Sequence, residues 1–400
     1  MKTAAPPTRS SGRDSRPVLL CLSHLRWDFV FQRPQHLMTR AARDNEVIFF
    51  EEPVERDVEA PRLELSAETG GVTRAIPILP RGVDAVAAQR ALLDDLLEER
   101  AGRRLVAWFY TPMALAFADH LRPDVTVYDC MDELSAFRGA PPAMLDMERR
   151  LLERADLVFT GGRSLYEAKR DRHPRVSCFP SSIDTAHFAQ ARGGVPEPES
   201  MACIARPRMG FFGVIDERMD LGLVAGLAAL RPDLQLVMLG PVVKIDPASL
   251  PQAPNLHWLG GRRYEELPAY LAHWDLGFMP FALNESTRFI SPTKTPEFLA
   301  AGLPVVSTPV VDVVRDYGEA GLVEVVSSAA EMAEQADRLL HAVSPEWLAR
   351  VDAQLATNSW DLTWTRMAAL IRSQRVTQPA AFPGAGAVPA TTLAAGASHV

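Results

Sequence analysis

The stretch Asn284–Thr308, NESTRFISPTKTPEFLAAGLPVVST, places a polar loop and a short helix between two strands. The predicted strand Leu276–Phe281 precedes it, and the predicted strand Pro304–Ser307 closes it. In an α/β sheet, such a loop points free N–H groups and the positive end of a helix dipole at a ligand. Lys294 adds a positive charge, and Glu297 adds an acceptor suited to sugar hydroxyls. The combination predicts a site for a nucleotide or a nucleotide-sugar.

A helix start alone is the competing explanation of this stretch. Thr295 as the cap, Pro296 at the first helical position and Glu297 near the dipole would fit it. It does not account for Lys294, because a cation near a helix N-terminus is unfavourable unless an anion intervenes. We therefore expect a ligand here. The candidate ligand-binding residues of this loop are Ser291, Thr293, Lys294 and Glu297.

The rest of the chain alternates predicted strands and helices in two blocks. The first block has predicted strands at Val18–Leu22, Glu46–Phe50, Leu105–Phe109, Val125–Tyr128, Leu157–Thr160 and Val176–Phe179. The second has them at Met209–Gly213, Leu234–Gly240, Leu256–Leu259, Leu276–Phe281, Pro304–Ser307 and Val323–Val326. Alternation of this kind implies parallel sheets covered by helices on both faces. We predict an α/β fold with two Rossmann-like domains that face each other across a cleft.

Composition gives the expected domain limits. A length of 400 residues exceeds the usual size of one hydrophobic core, which favours two domains. The predicted order is a disordered tail at 1–16, a first domain at 17–188, a linker at 189–206, a second domain at 207–344, a C-terminal helix at 345–372 and a disordered tail at 376–400.

Charge and cysteine usage exclude several classes of protein. A net charge of −8 and a pI near 5.7 argue against non-specific nucleic-acid binding. The four cysteines are scattered without a CxxC pair, so neither a disulfide framework nor a zinc site is expected. The N-terminus has no apolar signal segment. We expect a cytoplasmic protein without metal or cofactor, and contact with the inner face of a membrane stays open.

The loop after the first strand is dense in polar and aromatic residues, as expected of one wall of a cleft. Trp27 can stack on a sugar face, while Arg26, Asp28 and Arg33 offer hydrogen bonds or charge. The candidate cleft residues of this loop are His24, Arg26, Trp27, Asp28 and Arg33.

Three further candidates follow other strands. Gly213 ends a strand and brings backbone close to a ligand, and Arg218 then reaches a pyrophosphate or pairs with a nearby aspartate such as Asp216. Asp132 follows a first-domain strand, where a carboxylate holds an acceptor hydroxyl or acts as a base, unless it only caps the next helix. Dehydrogenase, P-loop, zinc-protease and α/β-hydrolase motifs are absent from the sequence.

With these residues in view, the chain resembles the retaining glycosyltransferases of the two-Rossmann (GT-B) type, and among them the teichuronic-acid transferase group of bacterial cell-wall and capsule assembly. The likeness is most specific in SPTKTPEFLAAGLPVVST and extends to SHLRWDFVFQRPQHLM, FPSSIDTAHF, GFFGVIDER and RPDLQLVMLGP. It implies a GT-B fold whose final helix crosses back onto the first domain.

The resemblance also implies residue roles. Glu297 would bind the ribose hydroxyls, Lys294 and Arg218 would lie near the diphosphate, and the turn Gly260–Arg262 would lie against the base. The first domain would hold a saccharide or lipid-linked acceptor. This chain departs from the family in lacking the first of two paired glutamates, since Phe289 occupies that position. A first-domain histidine of the family also has no clear match, and Asp132 is the nearest candidate.

The expected activity is therefore transfer of a sugar from a nucleoside-diphosphate sugar to a hydroxyl acceptor in cell-wall, capsule or exopolysaccharide synthesis, with retention and without a metal. Lys294, Arg218 and Asp132 are the expected catalytic residues. Two alternatives stay open at this point. A nucleotide-sugar epimerase shares the architecture but needs additional acid and base groups, and a non-catalytic nucleotide-sugar-binding subunit is compatible with the missing glutamate.

Overall fold

The computed structural model describes residues 15–374. The predicted disordered tails lie outside this range, apart from residues 15 and 16 of the first. The strands form two separate sheets, one from each half of the chain. Two α/β sheets, as the alternation of elements predicts, are therefore confirmed.

The first sheet has nine strands in the order β3-β5-β2-β1-β6-β7-β8-β9, with β4 paired to β5. The strands are β1 (Val18–Leu22), β2 (Glu46–Phe50), β3 (Val54–Glu55), β4 (Arg62–Glu68), β5 (Val72–Leu79), β6 (Leu105–Phe109), β7 (Val125–Cys130), β8 (Leu157–Thr160) and β9 (Val176–Cys178). All five residues of β1 are buried, because parallel strands flank it and helices cover both faces. Its carboxyl end opens directly into the polar loop that contains His24 and Arg33.

One hairpin departs from the expected all-parallel sheet. Strand β4 runs antiparallel to β5, and the turn between them contains Gly70 and Gly71, with φ of +84° and +81°. The residues of β4 are exposed or half-buried, as expected of an outer strand with one wet face. This hairpin lies at the far edge of the sheet from β9 and does not contribute to the cleft.

The second sheet has six parallel strands in the order β12-β11-β10-β13-β14-β15. The strands are β10 (Arg208–Phe212), β11 (Gln235–Leu239), β12 (Leu256–Gly260), β13 (Leu276–Met279), β14 (Val305–Ser307) and β15 (Val323–Val325). The central strands β10 and β13 are neighbours whose chain connections run in opposite directions along the sheet. Loops that follow strands at such a reversal form a crevice.

The helices cover both sheets. They are α1 (Arg33–Ala41), α2 (Ala85–Glu98), α3 (Leu115–Ala118), α4 (Met144–Arg154), α5 (Arg163–Lys169), α6 (Thr185–Ala189), α7 (Leu221–Leu230), α8 (Leu267–Leu271), α9 (Lys294–Ala300), α10 (Val311–Val313), α11 (Ala329–Leu339), α12 (Pro345–Leu355) and α13 (Trp360–Ser373). Helix α9 begins at Lys294, two residues before the predicted Pro296 start. Among residues 15–374, no helix combines the length and the apolar character needed to cross a membrane.

The C-terminal segment crosses between the domains, as expected, but as two helices. Helix α12 contributes Trp347 and Val351 to a core cluster of the second domain. Helix α13 contributes Trp360 and Trp364 to a core cluster of the first domain and packs along α1. The domain limits at 188 and 207 stay predictions.

Aromatic rings and charged side chains join the two halves. Tyr264 of the second half stacks on Phe31 of the first, with ring centroids 4.4 Å apart, and on His187, 4.2 Å away. On the other side of the interface, the Asp312 carboxylate accepts a hydrogen bond of 3.0 Å from the Ser164 backbone N–H at the start of α5. The structure therefore holds the two halves together across their cleft.

Candidate functional site

A cavity of about 90 Å³ lies between the two halves, where strands of both sheets end. Because the carboxyl ends of parallel strands meet at one edge, loops from separate parts of the sequence converge there. Its lining residues are Gln32, Arg33, Met131, Asp132, Gly161 and Ser181 from the first half, and Val214, Arg218, Phe281, Ile290, Ser291, Pro292, Thr293 and Lys294 from the second.

Lys294 lies in this cavity with its ammonium above the backbone of Gly213. A Cβ atom built on Gly213 would lie 2.1 Å from Lys294 Cε and 2.5 Å from Nζ, so only glycine permits this approach. The ammonium makes no hydrogen bond or ion pair with any residue from 15 to 374, and it lies 5.6 Å from the centroid of the Phe211 ring. Burial lowers the pKa of Lys294, and the charge of Arg218 lowers it further. The charges of Glu297, Asp216 and Asp132 act in the opposite direction on this pKa, but no carboxylate within residues 15–374 forms an ion pair with the ammonium. An anion bound here would contact the ammonium directly.

Glu297 follows Lys294 by three residues in α9 and is buried, with 6% of its surface exposed. Burial raises the pKa of Glu297, while Lys294 and a hydrogen bond from the Thr293 side chain act against this shift. Lys294 and Glu297 are thus a buried base and a buried acid that lie within one turn of α9. Their two charges partly compensate each other.

Arg218 is fixed by Asp216. The guanidinium Nε lies 3.0 Å from each carboxylate oxygen, and Nη2 lies 2.6 Å from Oδ2. The pairing with Asp216 that the sequence left open is therefore present, yet Arg218 also lines the cavity. Its guanidinium carbon is 5.4 Å from the centroid of the Phe137 ring of the first half. A bidentate partner holds the cation in place without removing it from the cleft.

Asp132 is the acidic member of the cavity from the first half. Burial raises the pKa of Asp132, while the charges of Arg218, Arg33 and Lys294 act in the opposite direction. These three cations come from both halves of the chain. The structure therefore brings together the three predicted catalytic residues, Lys294, Arg218 and Asp132.

Arg33 begins α1 and is buried, with 2% of its surface exposed. Its guanidinium donates to both oxygens of Asp129, at 3.0 and 2.8 Å, and to the Phe179 carbonyl at 2.7 Å. These contacts join the ends of three elements of the first sheet. Arg33 lines the cavity, but its Nε, Nη1 and Nη2 atoms all donate hydrogen bonds to other residues of the protein.

The other residues of the first loop lie apart from the cavity lining. Arg26 donates to Glu51 at 3.1 Å and anchors the loop to the end of β2. The Trp27 indole packs edge-on against Phe49, 5.0 Å away, inside the first-domain core, so it has no free face for a sugar in this structure. Asp28 is exposed and pairs with Arg74.

His24 has a different environment from its neighbours. Its Nδ1 atom is buried without a hydrogen-bond partner in the described chain. Burial lowers the pKa of His24 to about 4, and the nearby charge of Lys244 adds to this effect. His24 is therefore a neutral imidazole that faces the second half of the chain.

The turn Gly260–Arg262 follows β12 but does not line the cavity. Gly260 has a φ of +73°, which fits the tight turn, and nothing lies within 4 Å of the position of a Cβ atom. The Arg262 guanidinium donates to the Tyr270 hydroxyl and stacks over that ring at 5.4 Å. A role beside the base stays a prediction for this turn.

Sequence reasoning missed several residues at the domain interface. Phe137 lies against two cations of the second half, Arg218 and Lys244, with the Lys244 ammonium 5.1 Å from its ring centroid. Gly162 lies so close to Asp312 that a Cβ atom would be 2.2 Å from its Oδ2. The glycine pair after β8 was the available signal, but two glycines alone are weak evidence.

No group of three His, Cys, Asp or Glu side chains within residues 15–374 is arranged to hold a metal ion. A larger concavity, of about 580 Å³, lies on the outer face of the first half. Its arginines are already paired, Arg149 with Glu153 at 2.6 Å and Arg172 with Glu148 at 2.7 Å. The cleft cavity, with its unpaired Lys294, is therefore the better candidate site.

Comparisons with known proteins agree with this location. Residues 206–342 match the family described as "Glycosyl transferases group 1". The chain is 27% identical, over 236 residues, to a Bacillus subtilis protein named as a teichuronic acid biosynthesis glycosyltransferase, TuaH. The aligned region covers 54% of this chain, and it spans 59% of the length of that relative. The resemblance to that transferase group is confirmed.

Solved structures of similar shape cover most of the chain. The trehalose-6-phosphate protein of Escherichia coli, bound with UDP-2-fluoro glucose, has a TM-score of 0.66 at 14% identity and covers 89% of this chain and 99% of its own. The sucrose-phosphate synthase of Thermosynechococcus elongatus has a TM-score of 0.65 at 14% identity and covers 89% and 98%. Identities this low show the fold alone. Residues 206–342 therefore match the glycosyl transferases group 1 family, within a chain that has the two-domain GT-B fold.

Proposed function

We propose that this chain is a glycosyltransferase that moves a sugar from a nucleoside-diphosphate sugar to a hydroxyl acceptor. The observation that carries the proposal is the cavity between the two halves, where the unpaired cation Lys294 lies with Arg218 and Asp132. The group 1 match over 206–342 and the likeness to TuaH support the same chemistry. The second half would hold the donor and the first half the acceptor.

The negative charge that develops on the leaving diphosphate explains why two cations, Lys294 and Arg218, would lie at this site. Cleavage of the anomeric C–O bond builds negative charge on the departing diphosphate, and preorganised cations in a water-poor site stabilise it strongly. Lys294 and Arg218 would bind that diphosphate together with N–H groups at the start of α9. No metal ion is then needed for this charge.

Other residues along the carboxyl edge of the second sheet would make the remaining contacts with the nucleotide-sugar. Glu297, one turn into α9, would accept hydrogen bonds from the ribose hydroxyls, and Ser291 and Thr293 would contact the phosphates. Gly260 and Arg262 would lie against the base. The roles of Glu297, Gly260 and Arg262 are those implied by the family resemblance.

The acceptor would enter from the first half. Gln32, Arg33, Asp132 and Ser181 are the polar residues of this half that line the cavity. We propose transfer with retention, in which a leaving-phosphate oxygen takes the acceptor proton on the same face of the sugar. Asp132 would then orient the acceptor hydroxyl, and no protein base is required.

Domain separation is part of the proposal. Ligand pockets commonly have volumes of about 300–1,000 Å³, whereas the cleft cavity measures about 90 Å³. A nucleotide-sugar would enter when the halves separate, and closure would then exclude water from the reaction.

We further propose a role in cell-wall, capsule or exopolysaccharide synthesis in the cytoplasm, with a saccharide or lipid-linked acceptor at the inner face of the membrane. A thermal-shift screen with UDP-, GDP- and dTDP-sugars tests donor binding, because a ligand that binds the folded state raises the melting temperature. Incubation of the stabilising donor, with and without oligosaccharide or lipid-linked acceptors, then tests transfer. Conversion of the donor without an acceptor would instead indicate an epimerase, and binding without any reaction would indicate a binding subunit.

A further inference from the structure

Glu217 has an unusual environment in the loop after β10. Both of its carboxylate oxygens are buried without a hydrogen-bond partner, a state that no other acidic side chain within residues 15–374 shares. A buried carboxylate without donors is unfavourable, because it loses its hydration and gains nothing in return. Such a group persists where a ligand supplies the missing donors.

The backbone contacts of Glu217 place it in the loop that borders the cavity, although Glu217 is not one of the lining residues. Its own backbone carbonyl accepts a hydrogen bond of 3.3 Å from Asn284 Nδ2, which ties it to the loop that leads to Lys294. The next residue, Arg218, lines the cavity. Phe137 of the first half covers Arg218, so separation of the halves would uncover this part of the loop.

The cations nearby do not satisfy Glu217. The Arg218 guanidinium is occupied by both oxygens of Asp216. Asn284 uses its side-chain oxygen to accept from the backbone N–H groups of Ser286 and Thr287. The part of the chain that the structure describes therefore supplies no hydrogen-bond donor to the Glu217 carboxylate.

The missing donors have a definable chemistry. An ionised carboxylate only accepts hydrogen bonds, so its partner must carry O–H or N–H groups. A phosphate is excluded by its like charge, and it has cations of its own at Arg218 and Lys294. A nucleotide-sugar carries O–H donors on both sides of its diphosphate, on the ribose and on the transferred sugar. The proposed function assigns the ribose hydroxyls to Glu297, which leaves the transferred sugar for Glu217.

We propose that the Glu217 carboxylate binds hydroxyl groups of the donor sugar and thereby selects it. This assignment rests on the proposed function, since it takes the neighbouring cations as the diphosphate site. Glu217 is thus a specificity-determining residue. Its substitution should lower the affinity for the whole nucleotide-sugar and leave the affinity for the free nucleoside diphosphate unchanged.

The test compares Glu217→Gln and Glu217→Leu with the unaltered chain. The probes are three nucleotide-sugars, UDP-glucose, GDP-mannose and dTDP-glucose. Calorimetric titrations compare each of them with the matching nucleoside diphosphate, which is UDP, GDP or dTDP. We expect the affinity for the bound nucleotide-sugar to fall at least tenfold in both variants, with a larger loss for leucine. The affinity for the matching free diphosphate should change less than twofold.

Glu285→Gln is the matched control. Glu285 lies next to Asn284 in sequence, but its side chain is 75% exposed and only 3.5 Å from Arg288. This variant should bind both probes as the unaltered chain does. The melting temperature without ligand should stay the same or rise in Glu217→Gln, because the substitution removes a buried carboxyl group that has no hydrogen-bond partner.

Deoxyfluoro sugars locate the contact. A fluorine in place of one sugar hydroxyl removes an O–H hydrogen-bond donor. The analogue that lacks the hydroxyl bound by Glu217 should bind weakly to the unaltered chain, and Glu217→Gln should not lower its affinity further. Equal losses for nucleotide-sugar and free diphosphate, or unchanged affinity in Glu217→Leu, would overturn the assignment while leaving the transferase proposal intact. If none of the three nucleotide-sugars binds the unaltered chain, the proposed function itself is overturned and the assignment with it.

Discussion

The Lys294 side chain lies directly over the α-carbon of Gly213, at a distance that leaves no room for a Cβ atom. Gly213 has a φ of +128°, a backbone conformation that L side chains rarely adopt. It directly follows β10, while Lys294 begins α9, more than 80 residues later in the sequence. The strand end thus receives the lysine and fixes its ammonium inside the cleft.

Gly213→Ala should therefore displace Lys294. The added methyl group would meet Cε and Nζ at 2.1 and 2.5 Å, and the backbone conformation would be strained as well. We expect turnover to fall by about a hundredfold, a loss typical of a misplaced catalytic group. Gly222→Ala is the control, because a methyl group there meets only Asp220 Oδ1, at 3.3 Å. Equal transfer rates in the two variants would contradict this account of Gly213.

Removal of the ammonium itself should have a larger effect. Lys294→Ala should nearly abolish transfer, because the departing diphosphate would lose its nearest unpaired cation, and one such electrostatic contact is worth about 10²- to 10³-fold in rate. The circular dichroism spectrum should be unchanged. Arg263→Ala is the control, since Arg263 is also a second-domain cation but is 78% exposed. Unchanged turnover in Lys294→Ala would remove this residue from the mechanism.

The pH dependence of donor binding should have two limbs. Burial lowers the pKa of Lys294, so its charge is lost, and binding weakens, at a pH below the ordinary range of lysine. Burial raises the pKa of Glu297, so its accepting form is lost as the pH falls, above the ordinary range of glutamate. Calorimetry with a nucleotide-sugar is suitable, because its bridging diphosphate has no group that titrates near neutrality.

Two variants assign these limbs. Lys294→Ala should remove the alkaline limb, and Glu297→Gln should weaken the acid limb. Asp132 has a pKa that burial also raises, and it remains in both variants. If both limbs persist unchanged in both variants, the two residues do not bind the donor.

Most of the strands within residues 15–374 could be predicted from hydrophobic runs. Strands β1, β2, β6 and β8 have the predicted limits, because continuous buried runs mark the strands of a parallel sheet. Strands β3 to β5 were missed, since their residues are more exposed and include Pro77. The hairpin they form depends on tertiary pairing with β2, which no local pattern reveals.

The site residues differ in how well the sequence alone predicts them. Lys294 was found because a cation at a helix start is anomalous. The role of Trp27 could not be decided, since an aromatic residue in a polar loop fits both a sugar platform and a core contact, and the ring packs on Phe49. Glu217 gave no signal, because the burial that makes it unusual arises only when distant loops meet.

The close approach of Gly162 to the second half predicts an effect on closure. A methyl group at Gly162 would lie 2.2 Å from Asp312 Oδ2 and 2.9 Å from Ser291 Cβ. Gly162→Ala should hold the halves apart and reduce turnover about tenfold, since closure assembles the site from both. Small-angle scattering with bound donor should then show a larger radius of gyration than for the unaltered chain.

Gly193→Ala is the control for that experiment, because no heavy atom lies within 4 Å of the added methyl group. It should keep the scattering curve and the turnover of the unaltered chain. Identical scattering and turnover in Gly162→Ala would show that the contact with Asp312 has no part in closure.

The buried pair of Arg33 and Asp129 should contribute mainly to stability. Asp129→Asn leaves the Arg33 charge without a countercharge, and removal of one partner of a buried pair costs about 3–5 kcal/mol. Urea unfolding followed by tryptophan fluorescence measures this loss. Asp146→Asn breaks an exposed pair with Arg149 and should leave the free energy of unfolding nearly unchanged, because solvent screens such a pair. Similar losses in the two variants would contradict the structural role of Arg33.

A crystal structure of the chain with an intact nucleotide-sugar tests the central claim most directly. The account predicts that the diphosphate lies between the two halves, with its oxygens in hydrogen-bond contact with Lys294 Nζ and the Arg218 guanidinium. A diphosphate bound elsewhere, with Lys294 and Glu297 turned toward solvent, would contradict it.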